Sequence, residues 1–128
     1  MSHLRVFRLT ERDLRLKCRE IQVEGELDLS VAAQLAQRLA RAGEECKHVL
    51  VSLENCEFID STGIAVIVHA RNQLAERGGQ VAVCAPSNQV LRVLSVTGLT
   101  SNGLVFESAE DALSAFGASP NGDQPASV

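Results

Sequence analysis

The chain of 128 residues contains no tryptophan, no tyrosine and only four phenylalanines. Carbohydrate-binding platforms and base-stacking surfaces usually rest on aromatic side chains, so this composition argues against both kinds of site. A core with so few aromatic residues has to be built from leucine, valine, isoleucine and alanine. A chain of this length can bury such a core as one ordinary domain.

The sequence also shows no cluster of positive charge and no long apolar stretch. Twelve lysines and arginines are outnumbered by sixteen aspartates and glutamates, giving a net charge of −4. The basic residues form no stripe of the kind that binds nucleic acid. No apolar run approaches the roughly 20 residues that a membrane-spanning helix needs, and residues 1–5 lack the apolar stretch of a signal peptide. These absences predict a cytoplasmic protein with no direct nucleic-acid partner and no membrane insertion.

The cysteines show neither disulfide nor metal-site spacing. They are scattered and form no C-x-x-C pair, which in a domain with an adequate core favours reduced thiols. The three histidines lie at no ligand spacing to them, so we predict no metal and no cofactor. The cysteines are Cys18, Cys46, Cys56 and Cys84.

Apolar segments separated by turn residues predict an α/β domain over residues 1–116. Residues 117–128 offer almost nothing to bury and are predicted to be a disordered tail. Ser30 and Ser108 are suitable helix N-caps, and Gly43 and Gly98 are suitable helix ends. The predicted strands are 4–9, 16–23, 49–53, 81–84 and 104–106, with a turn over Thr10–Asp13. The predicted helices begin at Ser30, Pro86-Ser87 and Ser108 and end near Ala42, Gly98 and Phe116.

Residues 64–77 allow two interpretations. The β-branched run at their start favours a strand, whereas the polar continuation and the alternation of strands around it favour a crossover helix. We predict a helix, with Ile64, Ile67 and Val68 on its inner side. Val66 and part of Ala65 would then face outward as a small apolar patch near Ser61. The alternative is that Val66 packs under a neighbouring loop.

The stretch Asp60-Ser61-Thr62-Gly63 is the strongest functional signal in the chain. It lies between the apolar strand 49–53 and the apolar run 64–68. A serine that follows a carboxylate and precedes a glycine by two positions, where a strand gives way to another element, is expected to be exposed. Such a serine is available to a partner or to a kinase, and one chemical change there can switch a binding surface.

Three motifs in order resemble the STAS domain family, in particular the bacterial anti-sigma factor antagonists. The first is Gly25-Glu26-Leu27-Asp28, similar to the family's G-E-L-D segment, and the second is Asp60-Ser61-Thr62-Gly63-Ile64. The third combines Val93–Leu99 with Ser108–Leu113. The resemblance spans residues 4–116. It implies a mixed central sheet of four to five strands, with about four helices packed mainly on one face.

The resemblance also implies partner switching without enzymatic activity. In that family an anti-sigma factor that is itself a serine kinase phosphorylates the serine matched here by Ser61. The unphosphorylated antagonist binds the anti-sigma factor and frees the sigma factor, and a PP2C-type phosphatase restores the binding form. Single-domain STAS proteins also serve as accessory subunits of ABC-type membrane transport complexes, which is the alternative function.

The residue chemistry agrees with a phosphorylation switch. At a helix N-terminus, Ser61 would lie near unpaired backbone N–H groups, so that the fold tolerates a phosphate. A partner interface would not, because Asp60 and Asp28 would repel the added charge, while Gly63 would let a partner backbone approach. The predicted partner-binding residues are Asp28, Asp60, Ser61, Thr62, Gly63, Ala65 and Val66.

Simpler interpretations of the same residues remain open. Asp60 and Asp28 could merely cap helices, and Thr62 could be the phosphorylated residue. A hydrolase triad of Ser61, Asp60 and His69 is disfavoured because the serine lacks the G-x-S-x-G elbow. Cys56 either makes binding sensitive to oxidation or, as we favour, is a buried structural thiol.

Overall fold

A single mixed sheet organises the chain. The computed structural model describes residues 6–101 and 103–118. The strands of this part are β1 (Arg8–Leu14), β2 (Cys18–Leu27), β3 (His48–Ile59), β4 (Gln80–Cys84) and β5 (Val105–Phe106). Its α-helices are α1 (Ala32–Glu45), α2 (Ser61–Ala75), α3 (Asn88–Val96) and α4 (Ala109–Ala118), and a short 3-10 turn covers Leu99–Ser101.

The strands lie in the order in which they occur in the sequence. β1 pairs with β2 in antiparallel fashion, and the pairs β2–β3, β3–β4 and β4–β5 are parallel. The five-stranded mixed sheet and the α/β class are therefore confirmed. Leu27 is in register with Ile59, so β2 and β3 end side by side, and the chain segments that follow them begin at the same edge of the sheet.

Period-two alternation along the strands gives the sheet two apolar faces. One face carries Ile21, Val51 and Val83 and is covered by α1, α2 and α3. The other face is smaller and packs against Ala112, Leu113 and Phe116 of α4. Three of the four α-helices of the described chain thus lie on one face, as predicted. The core is aliphatic except where Phe116 stacks on the buried His48 ring, with ring centroids 4.6 Å apart.

The N-terminal hairpin differs from the prediction. The predicted turn Thr10–Asp13 lies inside β1, and the chain reverses instead over Arg15–Lys17, where Leu16 and Lys17 adopt φ angles of 64° and 53°. The polar residues form a strand because β1 is an edge strand and their side chains pair with charged residues of β2. Turn propensity was overridden by these cross-strand pairs.

Several element boundaries also shift. α1 begins after Val31, without a side-chain cap, and continues through Gly43 to Glu45. Gly43 does not end the helix, and a Cβ there would lie 3.3 Å from Leu74 of α2, so this position brings the two helices close. β3 runs on to Ile59 rather than ending at Leu53. α4 reaches Ala118, and residues 119–128 of the predicted tail lie outside the described residues.

Residues 61–75 form one helix, as predicted. Its buried residues are Gly63, Ile64, Ile67 and Leu74, which face the core, and Ala65 is exposed. Val66 is half-buried and packs against the core. The prediction that Val66 faces outward in an apolar patch is therefore only partly correct, because one side of Val66 contacts the core.

Candidate functional site

Ser61 is the first residue of α2, and its side chain is exposed. Its hydroxyl forms no hydrogen bond with any other residue that the structure describes. Asp60 is the N-cap: its Oδ1 accepts hydrogen bonds from the backbone N–H of Thr62 at 2.9 Å and of Gly63 at 3.1 Å. The expectation that Ser61 lies beside unpaired N–H groups is therefore wrong for these two donors, because Asp60 already occupies them.

The second carboxylate oxygen of Asp60 reaches the neighbouring turn. Asp60 Oδ2 accepts from the backbone N–H of Leu29 at 3.2 Å, and the Asp60 N–H donates to the carbonyl of Leu27 at 3.2 Å. Asp60 is thus a helix cap, as the simpler interpretation had it. It also fastens the start of α2 to the turn between β2 and α1, which the sequence did not reveal.

Asp28 organises that turn rather than capping α1. Its Oδ1 accepts from both the backbone N–H and the hydroxyl of Ser30, at 3.0 and 2.6 Å, and its carbonyl accepts from the Val31 N–H. This arrangement is an Asx turn, in which a short side chain replaces a backbone acceptor. Ser30 is consequently a turn residue, and the helix cap predicted there is absent.

Leu29 lies between these two turn residues and was not among the predicted site residues. It is 73% exposed, although it occupies an ordered turn. Its position in the sequence gives one signal, a lone large apolar residue between Asp28 and Ser30.

Gly63 has a structural role different from the predicted one. It is buried, and a Cβ at this position would lie 2.7 Å from Leu27 Cγ and 3.0 Å from the Leu27 carbonyl oxygen. The missing side chain makes room for the end of β2, so a partner backbone has no access to it. Among the predicted partner-binding residues, Gly63 therefore lies beneath the surface.

A shallow groove of about 390 Å³ lies between α1 and α2. Thr62, Ala65 and Val66 line its end nearest Ser61, and Ala36 and Ala40 line the wall formed by α1. The small side chains keep the groove open. The predicted residues Thr62, Ala65 and Val66 therefore share one concave surface that continues from the exposed serine.

Charge is distributed unevenly around this end of the sheet. Residues 20–37 contain four carboxylates and residues 48–70 contain three, and neither segment contains a lysine or an arginine. Glu54 and Glu57 are exposed, whereas Glu20 is buried and paired with Arg12 of β1. Glu24 is likewise paired, with Arg8 of β1, so the negative charge near Ser61 comes from Asp28, Glu57 and Asp60, and the chain segments that carry them contain no basic residue.

Cys56 is a buried thiol. It is 1% exposed, its Sγ donates to the Phe58 carbonyl at 3.3 Å, and burial raises its pKa. A raised pKa disfavours the reactive thiolate, so the structural interpretation holds. Burial likewise raises the pKa of Cys18 to about 12 and that of Cys84 to about 11.

The described residues supply no catalytic or metal constellation around Ser61. His69 lies eight residues along the same helix, about 12 Å at 1.5 Å per residue, and both Asp60 oxygens accept backbone hydrogen bonds. Over residues 6–101 and 103–118, no group of three potential metal ligands comes together. Within the same part of the chain, no helix combines the length and apolarity needed to span a bilayer.

Comparisons with known proteins agree with this architecture. A family model for the STAS domain matches residues 12–112. An anti-sigma F factor antagonist from Paenibacillus polymyxa is 30% identical over 95 residues, covering 73% of this chain and 81% of that protein. An anti-sigma factor antagonist from Mycobacterium paratuberculosis has a similar structure, with a TM-score of 0.77 and 22% identity over 86% of this chain and 93% of that one. The anti-sigma factor antagonist SpoIIAA in its unphosphorylated form gives a TM-score of 0.72 and 20% identity, covering 83% of this chain and 93% of that one.

The family model spans the segment from β1 to α4 and includes the whole Asp60–Gly63 motif at the start of α2. The five-stranded mixed sheet matches the fold of the structural neighbours. These findings show that the chain belongs to the STAS domain family.

Proposed function

We propose that this chain is an anti-sigma factor antagonist whose binding is switched by phosphorylation of Ser61. The observation that carries the proposal is the exposed Ser61 hydroxyl at the start of α2, within an intact motif. Curated relatives named anti-sigma factor antagonists support it. In this proposal the unphosphorylated chain binds an anti-sigma factor that is a serine kinase, and the sigma factor is released for transcription in the cytoplasm.

Phosphorylation at Ser61 leaves the fold in place. The phosphate adds roughly −1.5 to −2 charges at neutral pH. The dipole of α2 favours negative charge at this end by about 0.3–1 kcal/mol at an exposed site. Because the Ser61 side chain points to solvent, the added group displaces no core residue. SpoIIAA, which has the same fold, is also described in a phosphorylated form, which supports the expectation that this architecture tolerates a phosphate.

Phosphorylation does, however, remove the binding partner. The dianion would lie next to Asp60 and at the same edge of the sheet as Asp28, and the chain segments 20–37 and 48–70 that carry these residues contain no lysine or arginine. Pressing it into an interface adds like-charge repulsion and desolvation. A loss of about 3 kcal/mol weakens binding more than 100-fold. A PP2C-type phosphatase returns the protein to its binding form, and the chain itself acts as a binding protein, not as an enzyme.

The proposal is tested by retrieving the partner and then measuring phosphorylation and binding. Ser61→Ala and Ser61→Asp chains serve as baits in lysates of the source organism, and the kinase bound by the alanine variant is purified. With ATP, this kinase should add one phosphate to the wild type and none to Ser61→Ala. Thr62→Ala is the matched control for the neighbouring hydroxyl and should still be labelled.

Binding should follow the same residue. Ser61→Asp should weaken the affinity for the anti-sigma factor, and Ser61→Ala should bind whether or not ATP is present. Labelling that persists in Ser61→Ala would show that the site is wrong. Recovery of a transporter ATPase in place of an anti-sigma factor would favour the role of a transport accessory subunit.

A further inference from the structure

The turn between β2 and α1 presents one large apolar side chain to solvent. Leu29 is 73% exposed, and the residues on both sides of it are polar. Single exposed leucines are common at protein surfaces and by themselves indicate nothing. Leu29 differs in its support, because hydrogen bonds hold its backbone in place from two directions.

Those hydrogen bonds make the turn rigid. Asp60 Oδ2 accepts from the Leu29 N–H, Asp28 Oδ1 accepts from both Ser30 donors, and the Asp28 carbonyl accepts from Val31. An apolar side chain held in this way loses little conformational entropy when a partner covers it. The residue that supplies the first of these hydrogen bonds is also the neighbour of Ser61.

The residues around Leu29 indicate what kind of partner surface would bind it. Phe58, in register with Glu26 of the adjacent strand, is 39% exposed at the same edge of the sheet. Asp28, Glu57 and Asp60 lie near this edge, and residues 21–37 and 48–70 contain no lysine or arginine. Glu20 and Glu24, farther back along β2, are paired with Arg12 and Arg8 of β1 and do not add to this charge. An apolar pocket bordered by lysine or arginine side chains complements an exposed leucine in such a field.

We propose that Leu29 is an anchor residue for the anti-sigma factor, inserted into an apolar pocket with a basic rim and positioned by Asp60. This proposal rests on the proposed function. It enlarges the binding surface beyond the serine and the groove, and it makes Asp60 a positioning residue. Asp60 holds both the first turn of α2 and the turn that carries Leu29. A phosphate on Ser61 would therefore weaken binding in two ways: by repulsion at the interface, and by disturbing the position of Leu29 through Asp60.

An isosteric variant separates the two roles of Asp60. In Asp60→Asn the side-chain carbonyl can still cap Thr62 and Gly63, because asparagine is as good an N-cap as aspartate. The remaining NH2 group donates and cannot accept from the Leu29 N–H. Hydrogen exchange of the Leu29 amide should therefore speed up in Asp60→Asn. It should stay slow in Glu57→Gln, which removes a nearby exposed charge and leaves the hydrogen bond intact.

Affinity for the purified anti-sigma factor, measured by titration calorimetry, tests the anchor. Leu29→Ala should weaken binding by roughly tenfold or more, because most of the buried apolar surface of the side chain is removed. Asp60→Asn should weaken it about threefold to tenfold, since the turn must be ordered on binding. Val96→Ala is the control: Val96 is 82% exposed but ends α3 at the opposite edge of the sheet, and its variant should bind like the wild type.

The outcomes separate this proposal from the one on which it rests. If Ser61→Asp abolishes binding while Leu29→Ala binds within twofold of the wild type, the anchor is wrong and the switch stands. Equal Leu29 exchange rates in Asp60→Asn and the wild type would overturn the positioning role. If the unphosphorylated wild type binds no anti-sigma factor, both proposals are wrong.

Discussion

The hairpin edge and the Ser61 end use charged residues in opposite ways. At the hairpin, Arg12 pairs with Glu20, Arg19 pairs with Asp13, and Arg38 of α1 pairs with Glu11. At the Ser61 end, Asp28 and Asp60 accept hydrogen bonds from backbone N–H groups and Glu57 faces solvent, and residues 21–37 and 48–70 contain no basic side chain. The hairpin satisfies its charges within the chain, whereas the Ser61 end leaves charged and apolar side chains exposed to solvent.

This difference follows from the position of each region in the sheet. β1 is an edge strand with unpaired backbone groups, and charged side chains on such a strand discourage pairing with another chain. Its ion pairs therefore serve the fold. The Ser61 end lies beyond the ends of β2 and β3, where no further strand can be added, so its surface is free to serve recognition.

The largest predicted effect on stability lies at Gly63, directly beneath the proposed binding surface around Ser61. Gly63→Ala places a Cβ 2.7 Å from Leu27 Cγ and 3.0 Å from the Leu27 carbonyl oxygen. Overpacking of this kind typically costs about 1–3 kcal/mol. We expect the free energy of unfolding to fall by about that amount in urea denaturation. Such a result would show that the exposed residues at the start of α2 are held in place by the close packing of Gly63 against Leu27.

Another helical glycine provides the control. Among the residues that the structure describes, a Cβ at Gly117 of α4 would meet Leu16 Cδ1 alone, at 3.5 Å. Gly117→Ala should therefore be neutral or stabilise the protein by up to about 1 kcal/mol, because alanine is the better helix former. Equal destabilisation by the two variants would contradict the argument that crowding at Leu27 is the cause.

The sequence predicted the elements that rest on strong local signals. Ser87 and Ser108 cap α3 and α4 through their hydroxyls, as their positions indicated. The choice of a helix was confirmed for residues 64–75, because alternation of strands and helices outweighed the β-branched run, whereas residues 76–77 form a turn. These predictions depend on short-range chemistry or on topology, both of which a single sequence carries.

The errors arose where distant residues decide the outcome. Thr10–Asp13 looks like a turn until Arg19 and Glu20 are placed opposite it. Gly43 looks like a helix end until Leu74 packs against it. At the site, the hydrogen bond from Leu29 to Asp60 joins residues 31 positions apart. No local pattern encodes that contact, so the predicted site contained Asp60 and Asp28 but not Leu29.

A second prediction compares two arginines of the hairpin. Arg12 pairs at 2.5 Å with Glu20, whose side chain is 3% exposed, whereas Arg15 pairs with Glu110, whose side chain is 68% exposed. Arg12→Ala leaves a buried carboxylate without its cation and should lower the Tm by about 5 °C. Arg15→Ala should leave the Tm nearly unchanged, because exposed ion pairs contribute little. Equal Tm values for the two variants would show that the burial of Glu20 does not increase the contribution of the Arg12–Glu20 ion pair to stability.

The smallest predicted effect is a change in stability at low pH, which should be seen for a variant of the hairpin and not for a variant of the Ser61 end. The hydrogen bond from Arg19 lowers the pKa of Asp13 below its ordinary value of 3.8. A carboxylate whose pKa is lowered by folding contributes stability above its ordinary pKa and loses that contribution as the pH falls through its folded value. Thermal scans should therefore find Asp13→Asn slightly less stable than the wild type at pH 6, with the difference vanishing towards pH 2. Ser61→Ala, which removes no titrating group, should keep a constant difference from the wild type over the same range. A difference for Asp13→Asn that persists at pH 2 would mean that its cause is packing and not the ion pair.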